Sequence, residues 1–401
     1  MPPREQTKTP ELGLFVLTSS LRSEQGWLLD HLRARFEIRG VHEVHWTPEL
    51  AAANFARLFP AEPSAASIDP VVETPLLVVT AVDSAPEGKP ANVAFAETVA
   101  AMRAHTAGGL RAHGSDSATR AARDLMLLLG SAPEEYLAEH PRPWAGDVEQ
   151  VRRDLSGAGG WASPTELLRV LNHTVRYLII RNFEGMPQSL HVNFHEDVDL
   201  LTDDYPGLAA VMNARPHPRC VLPCGGPHWV QIAGKDMWFD LRFVGDRYFD
   251  PTWAREILDR RVYQTAGFFS PNPIDYFESL AYHAVIHKPF LSEDYKERLT
   301  TMAATLGRSG WERAALDDPA CVRALLDGIL RARGCAYRRP LDVNVFYNFA
   351  AAGYRWPAAR RKLAGVFRKA VRLGYRARRS LPTRAAEPSR RKASVAPHTM
   401  A

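Results

Sequence analysis

Apolar positions in the first third of the chain switch between short unbroken runs and helical spacing. LGLFVLTS, residues 12–19, reads as a buried strand. EQGWLLDHLRARF puts Trp27, Leu28, Leu32 and Phe36 on one helical stripe. EIRGVHEVHW, residues 37–46, partly alternates and reads as a second strand. Thr47 is an N-cap candidate with Pro48 at the first helical position, opening a helix over TPELAAANFARLF. TPLLVVTAVD is a third strand, followed by a helix over VAFAETVAAMRAH. The order is βαββαβ with a trailing helix. It predicts an α+β sandwich, a small antiparallel sheet with helices on one face.

The pattern breaks in PRPWAGDVEQVRRDLSGAGG, whose Pro, Gly and polar content reads as a linker. A capping box follows: Ser163 as N-cap, Pro164 at the first helical position and Glu166 three residues after the cap. It predicts a helix through about Thr174. RYLIIRNF and HEDVDLLTDD read as strands, and HWVQIA and DMWFDLRFV as two more around a turn at Gly234-Lys235. From about Asn272 to Leu330 the pattern is helical. The expected organisation is a leader (1–12), an α+β domain (13–143), a linker (144–162), a second α+β domain (163–300), a helical extension (301–350) and a basic segment (351–401).

Composition adds bounds. The chain has 401 residues, 46% of them hydrophobic, enough for two cored domains. Four cysteines make no disulfide framework at this length. MPPREQTKTPELG lacks the apolar core of a signal peptide, and no uninterrupted apolar run reaches the roughly 18 residues of a membrane span. The expected location is cytoplasmic. The net charge of +5 hides an asymmetry: residues 355–392 carry a net of +13, leaving −8 for the rest. Within that segment Leu363, Val366, Phe367, Ala370, Val371 and Gly374 form one helical stripe among arginines. Such a helix suits an anionic membrane surface, at the inner face, or the phosphates of a nucleic acid; a solvated tail is the third reading.

The stretch RAHGSDSATRAARD, residues 111–124, carries candidate chemistry. Phosphoryl relay through histidine needs an imidazole in a cleft, a partner fixing the ring and donors for phosphate oxygens. Gly114 allows close backbone approach, Ser115 and Asp116 can cap the following helix, and Asp124 on that helix can point back at His113. The segment resembles nucleoside diphosphate kinases, whose active-site histidine sits in the same H-G-S-D-S string before a helix. The resemblance covers roughly the first third of the chain. It implies a ferredoxin-like sandwich, His113 as the phosphorylated catalytic histidine, and nucleotide-binding roles for Ser115 and Asp124. Arg103 is a candidate phosphate contact. The family's K-P-D string is replaced by Val16-Leu17-Thr18-Ser19-Ser20, and the asparagine three residues before the histidine by Leu110. Losing that lysine and asparagine removes groups that stabilise a transferring phosphoryl group, so the resemblance implies a degenerate site.

Residues 196–204 read EDVDLLTDD. In a strand Asp197 and Asp199 share a face, about 7 Å apart, and two such carboxylates can share a divalent metal. Asp240, acidic in the apolar strand MWFDLRF, is placed to complete a two-metal site. Ser163 to Leu258 resembles the DNA-polymerase-β-like nucleotidyltransferase superfamily: helix, strand, loop, acid-x-acid strand, then a third acid on a later strand. The resemblance implies Asp197, Asp199 and Asp240 as ligands of Mg²⁺ or Mn²⁺, with Asp240 also helping to activate an acceptor. The superfamily's Gly-Ser at the strand end is absent; Arg181 or Asn182 could grip the phosphates of an NTP instead. Nucleotide-sugar glycosyltransferases also use acid-x-acid strings, but need a larger nucleotide-binding domain ahead of them.

Two further clusters stand out. His217, Cys220, Cys224 and His228 are zinc-ligand types in a Pro-rich stretch, with a loop of free thiols as the alternative. His283 and His287 lie at i, i+4, with Lys288 a candidate triphosphate contact. Asp246 and Asp250 read as turn and capping residues. The expected function is metal-dependent nucleotidyl transfer from an NTP, with the acceptor open. The alternatives are phosphotransfer through His113 and a non-catalytic scaffold docked through the basic segment.

Overall fold

The computed structural model describes residues 9–59, 74–88, 91–106, 112–187, 197–218 and 225–353. The basic segment, Cys220 and Cys224 lie outside them. The first half runs β1 (Glu11–Leu17), α1 (Gln25–Arg33), β2 (Glu37–His45), α2 (Ala51–Leu58), β3 (Leu76–Asp83), α3 (Val93–Thr106), β4 (Ala112–Gly114), α4 (Ala118–Leu128), α5 (Pro133–Glu139) and β5 (Glu149–Arg152). The second half begins α6 (Pro164–Thr174), β6 (Tyr177–Ile179), β7 (Asp197–Thr202), α7 (Tyr205–Met212), β8 (Arg215–Pro216), β9 (Gly226–Ile232) and β10 (Lys235–Phe243). It ends α8 (Pro251–Asp259), β11 (Val262–Gln264), β12 (Phe268–Ser270), α9 (Pro273–Ile286), α10 (Glu293–Thr305), α11 (Arg313–Asp317) and α12 (Pro319–Ala332). The class is α+β with two mixed five-stranded sheets.

The first sheet has the order β4-β1-β3-β2-β5. Its first four strands are antiparallel neighbours; β5 joins the outer edge of β2 in parallel. Strand periodicity splits β1 between two cores. Leu14 and Val16 face one, Phe15 and Leu17 the other. On the Phe15 side lie Leu28 and Leu32 of α1 and Phe95, Val99 and Met102 of α3. On the Leu14 side lie α2 and α4, so helices cover both faces rather than the one expected. A single helix layer could not bury strands that are apolar on both sides, and β3 is buried at every residue.

The second sheet has the order β6-β7-β10-β9-β8. β7 pairs antiparallel with β6 and parallel with β10. β9 and β10 form a hairpin around Ala233 and Gly234, both at positive φ (50° and 74°), the conformation a two-residue hairpin turn needs. One face, with Val198, Leu200, Phe239 and Leu241, packs on α6 and α7 in the same core that holds α2 and α4. The other face, with Leu178, Ile180 and Leu201, packs on α8, α9, α10 and α12. The result is five layers: helices, sheet, a shared middle helix layer, sheet, helices.

Ser163 caps α6 as the sequence predicts, but Glu166 reaches back to Ala162 N rather than to Ser163 N. Ser163 Oγ accepts from Glu166 N at 3.1 Å, Glu166 Oε2 accepts from Ala162 N at 2.7 Å, and α6 ends at Thr174. The expected cap at Thr47 does not form. Asp154 takes Thr47 N and Oγ1 at 3.0 and 2.9 Å, and α2 starts only at Ala51. The stretch 144–162, read as a linker, carries β5, and its Trp161 is buried in the middle layer. The α4 cap is Ser117, which accepts from Arg120 N, rather than Ser115 or Asp116.

Candidate functional site

Two of the buried polar groups, one in each sheet, hold candidate residues. In the first, His113 of β4 pairs with Val16 of β1, so its ring rises on the face covered by α4. Asp124, on α4, reaches it: Oδ2 lies 2.8 Å from His113 Nε2, and Asp124 is fully buried. Arg123 Nη1 donates to the other oxygen at 3.3 Å. Phe59 sets its ring edge-on to the imidazole, 4.9 Å between centroids. His113 itself is 4% exposed. The carboxylate fixes the ring, as the second condition for relay chemistry requires. The expected phosphate donors are engaged elsewhere. Ser115 Oγ accepts from Leu14 N at 2.8 Å and donates to Leu14 O at 3.2 Å, extending the sheet ladder. Arg103, at the exposed end of α3, donates to Ala112 O at 3.4 Å.

The second group lies on the outer face of the other sheet. In the parallel β7–β10 register Asp240 stands opposite Asp199, and Trp238 opposite Asp197. Register partners share a face, so Asp199 and Asp240 lie side by side toward the helical extension. Each gives one oxygen to an arginine. Arg181, just past β6, donates to Asp199 Oδ1 at 2.6 Å. Arg242, two residues after Asp240 and so on its face, donates to Asp240 Oδ2 at 2.8 Å and to Asp342 Oδ2 at 2.9 Å. Asp240 Oδ1 takes no hydrogen bond among the described residues. The guanidinium of Arg242 stands 4.9 Å from the Tyr248 ring centre. Burial alone would lower its pKa; Asp240, Tyr248, Asp246 and Asp342 outweigh that and keep it charged. Burial pushes the Asp246 carboxyl up to about 6.

Asn182 sits in the left-handed region (φ 58°), which asparagine tolerates, and its Oδ1 accepts from Arg298 Nη1 at 3.1 Å. Next to it opens a groove of about 320 Å³ lined by Phe183, Tyr276, Met302 and residues of β11 and β12. Lys288 follows α9, beside His287. The structure therefore brings Arg181, Asp199 and Asp240 together, with Asn182 beside them. It sets His113, Ser115, Asp124 and Arg103 apart in the first sheet. The sequence reading missed Arg242, Arg298 and Asp342. Arg242 had a signal: an arginine two positions from an aspartate in a strand must share its face.

No family model matches the chain, and no curated protein matches it. Among solved structures, the nucleoside diphosphate kinase of Aquifex aeolicus aligns at 17% identity, over 32% of this chain and 99% of that one, with a TM-score of 0.23. Among the described residues no helix is long and apolar enough to cross a membrane.

Of the other candidate histidines, His217, His228 and His283 read as packing groups. His228 meets Tyr205 Oη at 3.0 Å through Nε2 and Gly226 O at 2.8 Å through Nδ1, so both ring nitrogens are engaged. His217 stacks on Trp238. Asp246 and Asp250 act as expected: Asp246 accepts from Tyr248 N, and Asp250 caps α8 through Thr252 N. His283 Nδ1 meets Tyr248 Oη at 2.6 Å.

His287 is different. It is buried, and neither ring nitrogen has a hydrogen bond among the described residues. Burial, then the charges of Arg181, Arg242 and Lys288, push its pKa well below the usual 6.5. The folded chain thus keeps it neutral where the unfolded chain protonates it. Stability linked to His287 is complete above pH 6.5 and falls as pH drops below it, by up to about 1.4 kcal/mol per pH unit. Asp246 opposes this between its ordinary pKa of 3.8 and 6. The comparison with His287→Leu isolates the histidine: urea midpoints from pH 7.5 to 5.5 should fall less steeply in the variant. Parallel curves would mean that His287 is protonated equally in both states.

Proposed function

We propose that the second sheet carries a metal-dependent nucleotidyl transfer site acting on an NTP. The observation that carries this is the register of Asp199 against Asp240 on adjacent parallel strands, two register pairs beyond Asp197. The order α6, β6, β7, β10, with the acid-x-acid strand lying between β6 and the strand that carries the third acid, supports the same reading.

The donor set fits a hard divalent cation: carboxylate oxygens, of which Asp240 Oδ1 takes no hydrogen bond among the described residues. Asp199, Asp240 and, by its strand position, Asp197 would hold Mg²⁺ or Mn²⁺, which neutralises phosphate charge when bound. Arg181 places a positive charge within the group, suited to phosphate oxygens. The groove beside Phe183 and Tyr276 offers apolar walls for a base or an acceptor. In the reaction an acceptor hydroxyl attacks the α-phosphorus, its proton passes to Asp240, and pyrophosphate leaves.

A second reading rests on the 2.8 Å contact between His113 and Asp124, which is the ring-fixing half of a phosphorelay site. The strand order β4-β1-β3-β2 agrees with a ferredoxin-like sandwich of the nucleoside diphosphate kinase type.

Calorimetric titration of a non-hydrolysable NTP, with and without Mg²⁺, separates these readings. The expected result is Mg²⁺-dependent binding to wild type and to His113→Ala, lost by at least ~10-fold in Asp197→Asn/Asp199→Asn. Loss in His113→Ala alone would move the chemistry to the first sheet. No binding to wild type would leave the scaffold.

A further inference from the structure

Outside both groups, three side chains from distant parts of the sequence converge at the outer edge of the first sheet. His42 lies on β2, His140 at the end of α5 and Glu149 on β5, opposite His42 in register. Their ligand atoms all lie within 4.8 Å of one another. His42 Nδ1 is 3.0 Å from Glu149 Oε2, and His140 Nε2 is 3.9 Å from the same oxygen. Two ligand atoms on one tetrahedral zinc stand about 3.3 Å apart, so these separations bracket the value.

Proton positions decide what the group can do. His140 Nδ1 contacts the Tyr136 carbonyl at 3.0 Å. A carbonyl only accepts, so Nδ1 carries the hydrogen, and the neutral ring presents a lone pair at Nε2. His42 Nε2 meets Tyr136 Oη at 2.6 Å; that hydroxyl meets Thr80 Oγ1 at 2.8 Å, and Thr80 donates to Gly40 O at 3.3 Å. With the threonine hydrogen on Gly40 and the tyrosine hydrogen on Thr80, the tyrosine oxygen accepts from His42 Nε2. The lone pair of His42 is then at Nδ1, facing the carboxylate. This tautomer sets the Nδ1 lone pair 3.0 Å from an anionic oxygen, an arrangement that a cation bound between them stabilises.

We propose that His42 Nδ1, His140 Nε2 and the Glu149 carboxylate bind a divalent transition-metal ion, with zinc the best match. Imidazole and carboxylate suit zinc, and three protein ligands leave its fourth position to water. The far nitrogen of each histidine is held by Tyr136, one by its hydroxyl and one by its carbonyl, the outer support that metal-binding histidines require. A Cβ at Gly40 would overlap both the Tyr136 hydroxyl and His42 Nε2, so glycine is needed for this support to sit where it does. Asp147 and Glu139 add negative potential nearby. Glu149 is more than half exposed, which gives the ion a way in. Once bound, the ion staples edge strand β5 to β2 and α5.

The test is zinc titration of the full chain by calorimetry, with cobalt substitution as a spectroscopic probe. Wild type should bind one zinc, gain thermal stability from it, and show the visible bands of tetrahedral cobalt. His140→Ala should bind at least ~100-fold more weakly and Glu149→Gln ~10-fold more weakly, with apo circular dichroism unchanged. Cys220→Ser/Cys224→Ser should bind as wild type does. Wild-type affinity in His140→Ala, loss confined to the cysteine variant, or no micromolar binding by wild type would each overturn the assignment.

Discussion

Replacing Arg242 with methionine should cost about 3–5 kcal/mol of stability, read as a drop in the urea midpoint with little change in slope. The guanidinium is buried, and it joins Asp240 and Asp342 while lying over the Tyr248 ring. Methionine fills much of the same volume, so cavity formation is the smaller part of the effect. The larger part is Asp342, left charged at 3% exposure without its counterion. That account makes a second demand. The double variant Arg242→Met/Asp342→Leu should recover most of the loss, because a buried pair replaced by apolar groups is near neutral whereas half a pair is not. A loss below about 1 kcal/mol in the single variant would show that water reaches Asp342.

Arg57 is the second position where one side chain carries much of the structure. It projects from α2 and donates to Ala210 O at 2.9 Å, Val211 O at 2.9 Å and Ser156 O at 2.8 Å. Two of these carbonyls end α7, so Arg57 satisfies groups that a helix C-terminus leaves bare and places a positive charge at its negative end. Trp161 Nε1 adds a third bond there, to Met212 O at 2.9 Å. Burial and the neighbouring Arg123 lower the arginine's pKa to about 10, which still leaves it charged at neutral pH. Arg57→Met should cost about 2–3 kcal/mol in the same urea measurement. Arg57→Lys should rescue little of it, since one ammonium cannot reproduce a planar fork. Full rescue by lysine would mean that charge alone matters.

The sequence is legible where local rules are strong. The N-cap at Ser163 set the start of α6, and turn residues placed the β9–β10 hairpin. Period-two alternation put Asp240 on a strand with the right face to meet Asp199. Legibility fails where long-range partners decide. Thr47 has every mark of an N-cap, but Asp154, far along the chain, captures it. β5 reads EQVR, mostly exposed, with no apolar alternation. An edge strand held by backbone pairing to β2 leaves no hydrophobic signature, which is why its segment looked like a linker. Glu149 sits in that strand, so the His42–His140–Glu149 group could not be read before β5 was known. The expectation of helices on one face of the first sheet failed because α2 and α4 cover the Leu14 side, and these two helices in turn pack on α6 and α7 from the second half of the chain.

That shared middle layer bears on how the chain is made. A ribosome releases β1 to β5 before α6 and α7 exist, so α2 and α4 of the nascent first half wait with their outward sides uncovered. The wait ends only when synthesis has passed Met212, the last residue of α7. Neither half is therefore a cassette that recombination could move alone to another gene. A split near residue 160 would leave each product with apolar surface meant for the other, and co-expression, rather than separate purification, is the route by which two such pieces could meet.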